Sequence, residues 1–275
     1  MCNSEEEADL ILLHNKHIER GKYVVRYPNK TVIADYSDSL NLAKVDVRLY
    51  FKRSVVVKNE NTSLEFATFE RDVIPFSFCM RQESLKFDLE KERDVDVCFF
   101  PRILGGGKRK KMKQNPNYVL DKKDIAVVKF NQTIGGAIKE NFENVFVGQM
   151  GLGGVKGRSV IQIQYFNQML QSKIVVCCNP PTWEGDYRLW EALGCKCLVF
   201  VDEMLTPVKH PLRDEEHVIY YRRDRMDELV DKLKFYLNND AIRLRIAANG
   251  TEYARTYHKP SNRIDEILDE FERLK

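Results

Sequence analysis

The chain lacks what a membrane segment, a metal cluster or a nucleic-acid surface would require. No apolar run approaches the roughly 20 residues that cross a bilayer. The acidic opening MCNSEEEADL holds no apolar signal core, so no membrane span is expected and a cytoplasmic location is. Only five histidines occur in 275 residues, and none is grouped with cysteines at ligand spacing, so no metal site is expected. The seven cysteines, at 2, 79, 98, 177, 178, 195 and 197, form no CxxC pair. They read as small apolar core residues in a reducing compartment. A net charge of +3 is too weak for a nucleic-acid partner, though it suits a phosphate-bearing substrate.

What is present is an alternation of short apolar runs with helical patterns. That rhythm predicts an α/β protein with mainly parallel sheets. The first strands are expected at 8–14 (ADLILLH), 31–36 (TVIADY) and within 45–57, with an edge strand or loop at 71–80, where Pro75 interrupts. A polar stretch at 82–93 marks the expected domain boundary. A second series follows at 94–100 (DVDVCFF), 125–130, 144–148, 173–178, 196–202 and 217–221. Helices are expected at 159–171, 186–193, 226–237, 240–257 and 261–274. Strands apolar throughout suit a sheet covered on both faces. The domains are therefore set at residues 1–90 and 91–259, with the last helix, 260–275, returning to the first domain.

Three segments carry candidate chemistry. Five of the fourteen glycines fall in 148–157, between an expected strand and an expected helix. Gly153 and Gly154 would let backbone N–H groups approach an anion, and Arg158 adds a bidentate cation suited to phosphate oxygens. The spacing is neither a Walker A sequence nor a dinucleotide GxGxxG. The second segment follows the strand at 173–178: a turn, then a helix on which Leu189 and Leu193 face the sheet while Tyr187 and Glu191 share the other face. At the carboxyl end of parallel strands, Glu191 is placed to accept two ribose hydroxyls, with Tyr187 and Arg188 shaping the pocket. The third, GGGKRKKMK at 105–113, has five basic residues among its last six and reads as a solvated loop.

The order strand, turn, Gly-Asp-x-Arg-x-x-Glu-Ala, strand, Asp is carried here by Gly185, Asp186, Arg188, Glu191, Ala192 and Asp202. It resembles the donor half of GT-B glycosyltransferases, closest to the exostosin-like and spore-protein-type group, and it looks like the short enzymes by which large DNA viruses such as chloroviruses build capsid glycans. The resemblance implies two Rossmann-like domains facing across a cleft. It implies a UDP-sugar donor, with a GDP-sugar as second choice and xylose among the sugars considered, held by the second domain. A glycan acceptor would lie against the first, in the cytoplasm of the host cell if the source is viral. Transfer would be inverting, without essential metal or other cofactor. Inversion needs a base that takes the acceptor proton. Asp72 is the first choice, beside an apolar Pro-containing segment near the boundary, with Asp38 and His14 as alternatives. Arg158 would offset charge on the leaving diphosphate. The rival readings are a GT-B-type nucleotide-sugar epimerase, a non-catalytic nucleotide or glycan binder, and a nucleic-acid binder using the basic loop.

Overall fold

The computed structural model describes residues 4–19, 21, 23–37, 40–58, 64–101, 122–148, 163–179 and 186–274. Two separate parallel sheets organise them. The first joins β1 (Ile11–His14), β2 (Thr31–Asp35), β3 (Leu49–Lys52) and β6 (Ile74–Pro75) in that order, with the short helix α1 (Asn15–Glu19) after β1. A small antiparallel hairpin, β4 (Val56–Lys58) and β5 (Leu64–Phe66), leaves the end of β3. Pro75 cannot donate to a ladder, and it sits in the edge strand, where that costs least.

The second sheet holds β7 (Val95–Phe99), β8 (Val145–Val147), β9 (Ser172–Val176), β10 (Leu198–Asp202) and β11 (Ile219–Tyr221). Its order is β8-β7-β9-β10-β11, all parallel. The chain steps one way from β7 to β8 and the other way to β9, so the winding reverses between β7 and β9. At such a switch point two crossovers diverge and leave a crevice outside the carboxyl ends.

Alternation along the buried strands sends side chains to both faces. Cys98, Val175 and Val199 pack with α3 (Ile163–Leu170), α4 (Tyr187–Gly194) and Ala254 of α6 (Asp240–Tyr257). Val97, Ile174 and Phe200 pack with α2 (Lys122–Asn141) and α5 (Met226–Asn238). The stretch 125–130, rich in β-branched residues, was expected as a strand; it lies inside α2. Its continuation places Ile134 and Ile138 four apart and fully buried against the sheet, and that helical period overrides the local β preference.

The last helix, α7 (Pro260–Arg273), returns to the first sheet. Pro260 opens it where no N–H is needed, and Asn262 accepts the Lys259 N–H at 2.9 Å. Its residues 263, 267 and 271 recur at i+4, and Ile267 and Phe271 bury against Val32, Ala34 and Phe51. Each contributes about 1.5–3 kcal/mol of burial. The opposite face of that sheet is closed by Ile33, Val47 and Tyr50. Between the sheets the connecting strap is anchored by the Met80 N–H on the His258 carbonyl, 2.9 Å, and by Ser84 packed on Gly194.

Candidate functional site

Two polar clusters gather at the carboxyl ends of the second sheet. Asp202, the fully buried last residue of β10, accepts the Asn179 N–H at 2.6 Å and a charged hydrogen bond from Arg223. Arg223 also donates to the Asn179 carbonyl, and the Tyr221 hydroxyl donates to the Cys177 carbonyl at 2.8 Å. The ends of β9, β10 and β11 are thus tied together. Burial pushes the Asp202 carboxyl up to about 6, against the opposing pull of Arg223.

The second cluster lines the switch-point crevice. Tyr165, on α3, lies 4.5 Å from Phe100, just past β7, and its hydroxyl donates to Glu191 at 2.8 Å. Arg188 pairs with Asp186 and shares its field with Tyr165, Cys178 and Cys177 at the end of β9. The side chain of Asp186 is 2% exposed while that of Arg188 is 22% exposed, so the cation is the member that reaches solvent. Glu191 was expected on the helix face turned away from the sheet, open to ribose hydroxyls; it is only 8% exposed, because Tyr165 covers that face and Arg81 approaches from the strap. Burial raises its carboxyl above the usual range, with the Tyr165 hydrogen bond opposing. Tyr187 is likewise covered, its ring stacked on Phe78 at 3.7 Å. The structure thus brings Arg188 and Glu191 together at the crevice and sets Tyr187 at the junction between the sheets. Gly153, Gly154 and Arg158 lie outside the described residues.

Sequence reasoning placed the base at Asp72, and the geometry moves it away. Asp72 is exposed and precedes β6, so it stands at the amino end of the first sheet. Its neighbour Arg71 donates to the carbonyls of Val45 and Val47, ahead of β3, on that same remote edge. An apolar segment after a polar pair reads alike whether the pair enters or leaves the strand, and the short β6 begins only after it. Asp38 lies outside the described residues. His14 ends β1 at the carboxyl edge, 6.0 Å ring to ring from Tyr36. The Lys16 N–H donates to its Nδ1 at 3.1 Å, so the neutral ring carries its hydrogen on Nε2.

The route between the sheets is aromatic. Tyr36 stacks on Phe78 at 5.3 Å, and the buried Arg53 guanidinium lies 4.3 Å over Phe78 while donating to the Tyr36 carbonyl. Sequence reasoning missed Tyr165, Arg223 and this aromatic run; Arg223 was signalled by its place just past an expected strand, whereas Tyr165 lay inside an expected helix. Among the described residues, no group of three or more His, Cys, Asp and Glu side chains is placed to hold a metal ion, and no helix is long and apolar enough to cross a membrane.

With this geometry in hand, the family model described as glycosyl transferase-like matches residues 128–269, more than half of the chain. The chain belongs to that family. Among curated proteins none matches the sequence significantly. Solved structures with a similar fold include an alpha-glucosyltransferase in complex with UDP and a 13-mer DNA containing a HMU base. Its TM-score is 0.53 at 10% identity, over 96% of this chain and 80% of that one. A TarM mutant of S. aureus, in complex with Fondaparinux, alpha-GlcNAc-glycerol and UDP, aligns with TM-score 0.50 at 10% identity, over 88% of this chain and 55% of that one. The C-terminal domain of LpcC, a glycosyl transferase group 1 family protein of Francisella tularensis, is 18% identical over 66% of this chain and 96% of that domain, with TM-score 0.40. The α/β architecture with parallel sheets is that of the GT-B glycosyltransferases.

Proposed function

We propose that this glycosyl transferase-like protein moves a sugar from a UDP-sugar to an acceptor hydroxyl, with the second sheet binding the donor and the first the acceptor. The observation that carries this reading is the switch-point crevice, where Arg188 stands beside Tyr165 and Glu191 at the ends of β7 and β9. A guanidinium that keeps its charge and reaches solvent can hold a diphosphate bidentately and offset its growing charge as it leaves. Glu191 is assigned the ribose hydroxyls. The stretch holding Gly153, Gly154 and Arg158 follows β8 in the chain, and its proposed part is to add backbone donors and a second cation. One neighbour in fold, an alpha-glucosyltransferase, is seen in complex with UDP-glucose, which favours UDP over GDP.

Beside the inversion expected from sequence, the described residues support a second stereochemical reading. Asp72 is on the remote edge, and the His14 Nδ1 lone pair is engaged by Lys16, leaving an Nε2–H that donates rather than accepts. Both observations favour front-side transfer. The acceptor oxygen bonds to the anomeric carbon as that carbon's bond to the diphosphate oxygen breaks. The hydroxyl proton passes to the departing oxygen, and configuration is retained. His14 then holds an acceptor or sugar oxygen in place. The exostosin-like tie, a viral source, a cytoplasmic location and metal-independent transfer belong to the same proposal and rest on the sequence pattern alone.

The test is a panel of UDP- and GDP-sugars assayed for nucleotide release, with the anomeric configuration of the product read by proton NMR. UDP is expected to raise the melting temperature by binding only the folded state. If neither UDP nor GDP does so, the donor assignment fails. UDP binding without turnover would leave a nucleotide-binding protein. An inverted product would restore a protein base, with Asp38 the candidate.

A further inference from the structure

A cavity of about 460 Å³ among the described residues is on the first sheet and away from the charged crevice. It opens at the carboxyl edge of that sheet, between β1 and α7, and its size falls within the range of small-molecule sites. Its walls are Leu12, Ala34, Phe76, Ile264 and Ile267. Leu12 and Ile264 form an exposed lip, 40% and 46% accessible, on a surface where such side chains gain nothing from water. The rings of His14 and Tyr36 also line it.

Among the polar groups of this lining Arg263 is engaged by His258 and Glu266; the others are the imidazoles of His14 and His17 and the hydroxyls of Tyr23 and Tyr36. No Asp, Glu, Asn or Gln is among the lining residues. A sugar ring pressed into such a cavity would lay most of its hydroxyls against aliphatic wall with no carboxylate or amide to replace their water, and unpaired buried polar groups are costly. An apolar ring instead finds aliphatic walls and two aromatic rings for offset stacking.

We propose that the acceptor carries an apolar, ring-sized group beside its reactive hydroxyl, seated in this cavity with the hydroxyl toward His14. This rests on the first sheet being the acceptor side and narrows the glycan expected from sequence to one with an apolar aglycone. The experiment compares the affinity of phenyl β-glucoside and methyl β-glucoside for the full chain saturated with UDP, by calorimetry, alongside UDP affinity alone. Phenyl β-glucoside should bind at least tenfold tighter. Leu12→Gln and Ile264→Gln, exposed lip positions that leave the fold intact, should cut that preference to threefold or less with UDP affinity unchanged. Equal binding of the two glucosides, or a preference that neither variant reduces, overturns the proposal. A phenyl preference that persists and responds to the variants in a protein that does not bind UDP supports the cavity while removing the donor reading.

Discussion

The two sheets meet the cleft with opposite chemistry. The second presents charge: Asp202 with Arg223, and Asp186 with Arg188, each pair holding a buried carboxylate and a cation with an outlet to solvent. The first spends its charge internally. Lys52 and Asp35, both fully buried, pair at 3.0 Å with the Tyr50 hydroxyl on the same carboxylate oxygen, and the rings of His14 and Tyr36 line the cavity beside it. A leaving diphosphate needs the former arrangement and an apolar acceptor the latter. On the proposed reading the second sheet supplies the electrostatics while the first supplies shape.

The sharpest way to break this contrast is Arg188→Ala. Turnover of the UDP-sugar should fall about 1,000-fold, roughly 4 kcal/mol, as for loss of a charge-stabilising donor. Phenyl β-glucoside binding should not change. A loss of less than tenfold would mean that the crevice cation is not where the charge develops.

Gly250→Ala probes how tightly the second half is packed. A methyl there would collide with the His217 carbonyl oxygen and approach Leu193 Cδ2 to 2.9 Å. Backbone cannot swing aside as a long side chain can, so the cost is about 3 kcal/mol, read as a lower midpoint in urea.

Acid tests the junction against the donor side. Burial, helped by Arg263, lowers the buried His258 imidazole from 6.5 to about 3. Below pH 6.5 the unfolded chain binds a proton that the folded one refuses, so this residue's stability is present at pH 7 and lost as pH falls toward 3. At pH 5 that loss is about 2 kcal/mol. Asp202 acts in reverse: its carboxyl is raised from 3.8 to about 6 by burial, so the folded state gains stability as pH falls through 6 toward 3.8. The gain at pH 5 is about 1.4 kcal/mol, leaving a shallow net decline. His258→Asn keeps an acceptor for Arg263 without the titration, and chemical denaturation at pH 7 and 5 should then show the slope reversed. An unchanged slope would remove His258 from the acid response.

The second half was far more legible than the first. Its strands are apolar throughout, and the 185–202 pattern placed α4 to within a residue; the helix covers Tyr187–Gly194. What the pattern could not show was cover. Glu191 at helical spacing from Tyr187 looks solvated until Tyr165, 26 residues away, is laid over it. Long-range partners of this kind leave no local period. In the first sheet the strands have four, five, four and two residues, too short to say whether a neighbouring charge such as Asp72 enters or leaves the sheet. Residues 125–130 misled for the opposite reason: four β-favouring residues, Ile125, Val127, Val128 and Phe130, outvoted the helical spacing that begins with Ile134.

Gly21 completes the contrast with the smallest effect. It lies in the first half, after α1, with φ +63°, and a methyl there would meet nothing within 4 Å. Packing therefore plays no part, and only the left-handed backbone matters, worth about 1–2 kcal/mol against a side-chain-bearing residue. The entropy that alanine removes from the unfolded chain returns some of that. Gly21→Ala should thus cost about 1 kcal/mol, roughly a third of the effect at Gly250. Gly21→Asn should recover part of it, since asparagine tolerates this conformation. Equal costs at Gly21 and Gly250 in urea would mean that the collision at His217 is relieved by movement of α6, and that the second half is no more tightly packed than the first.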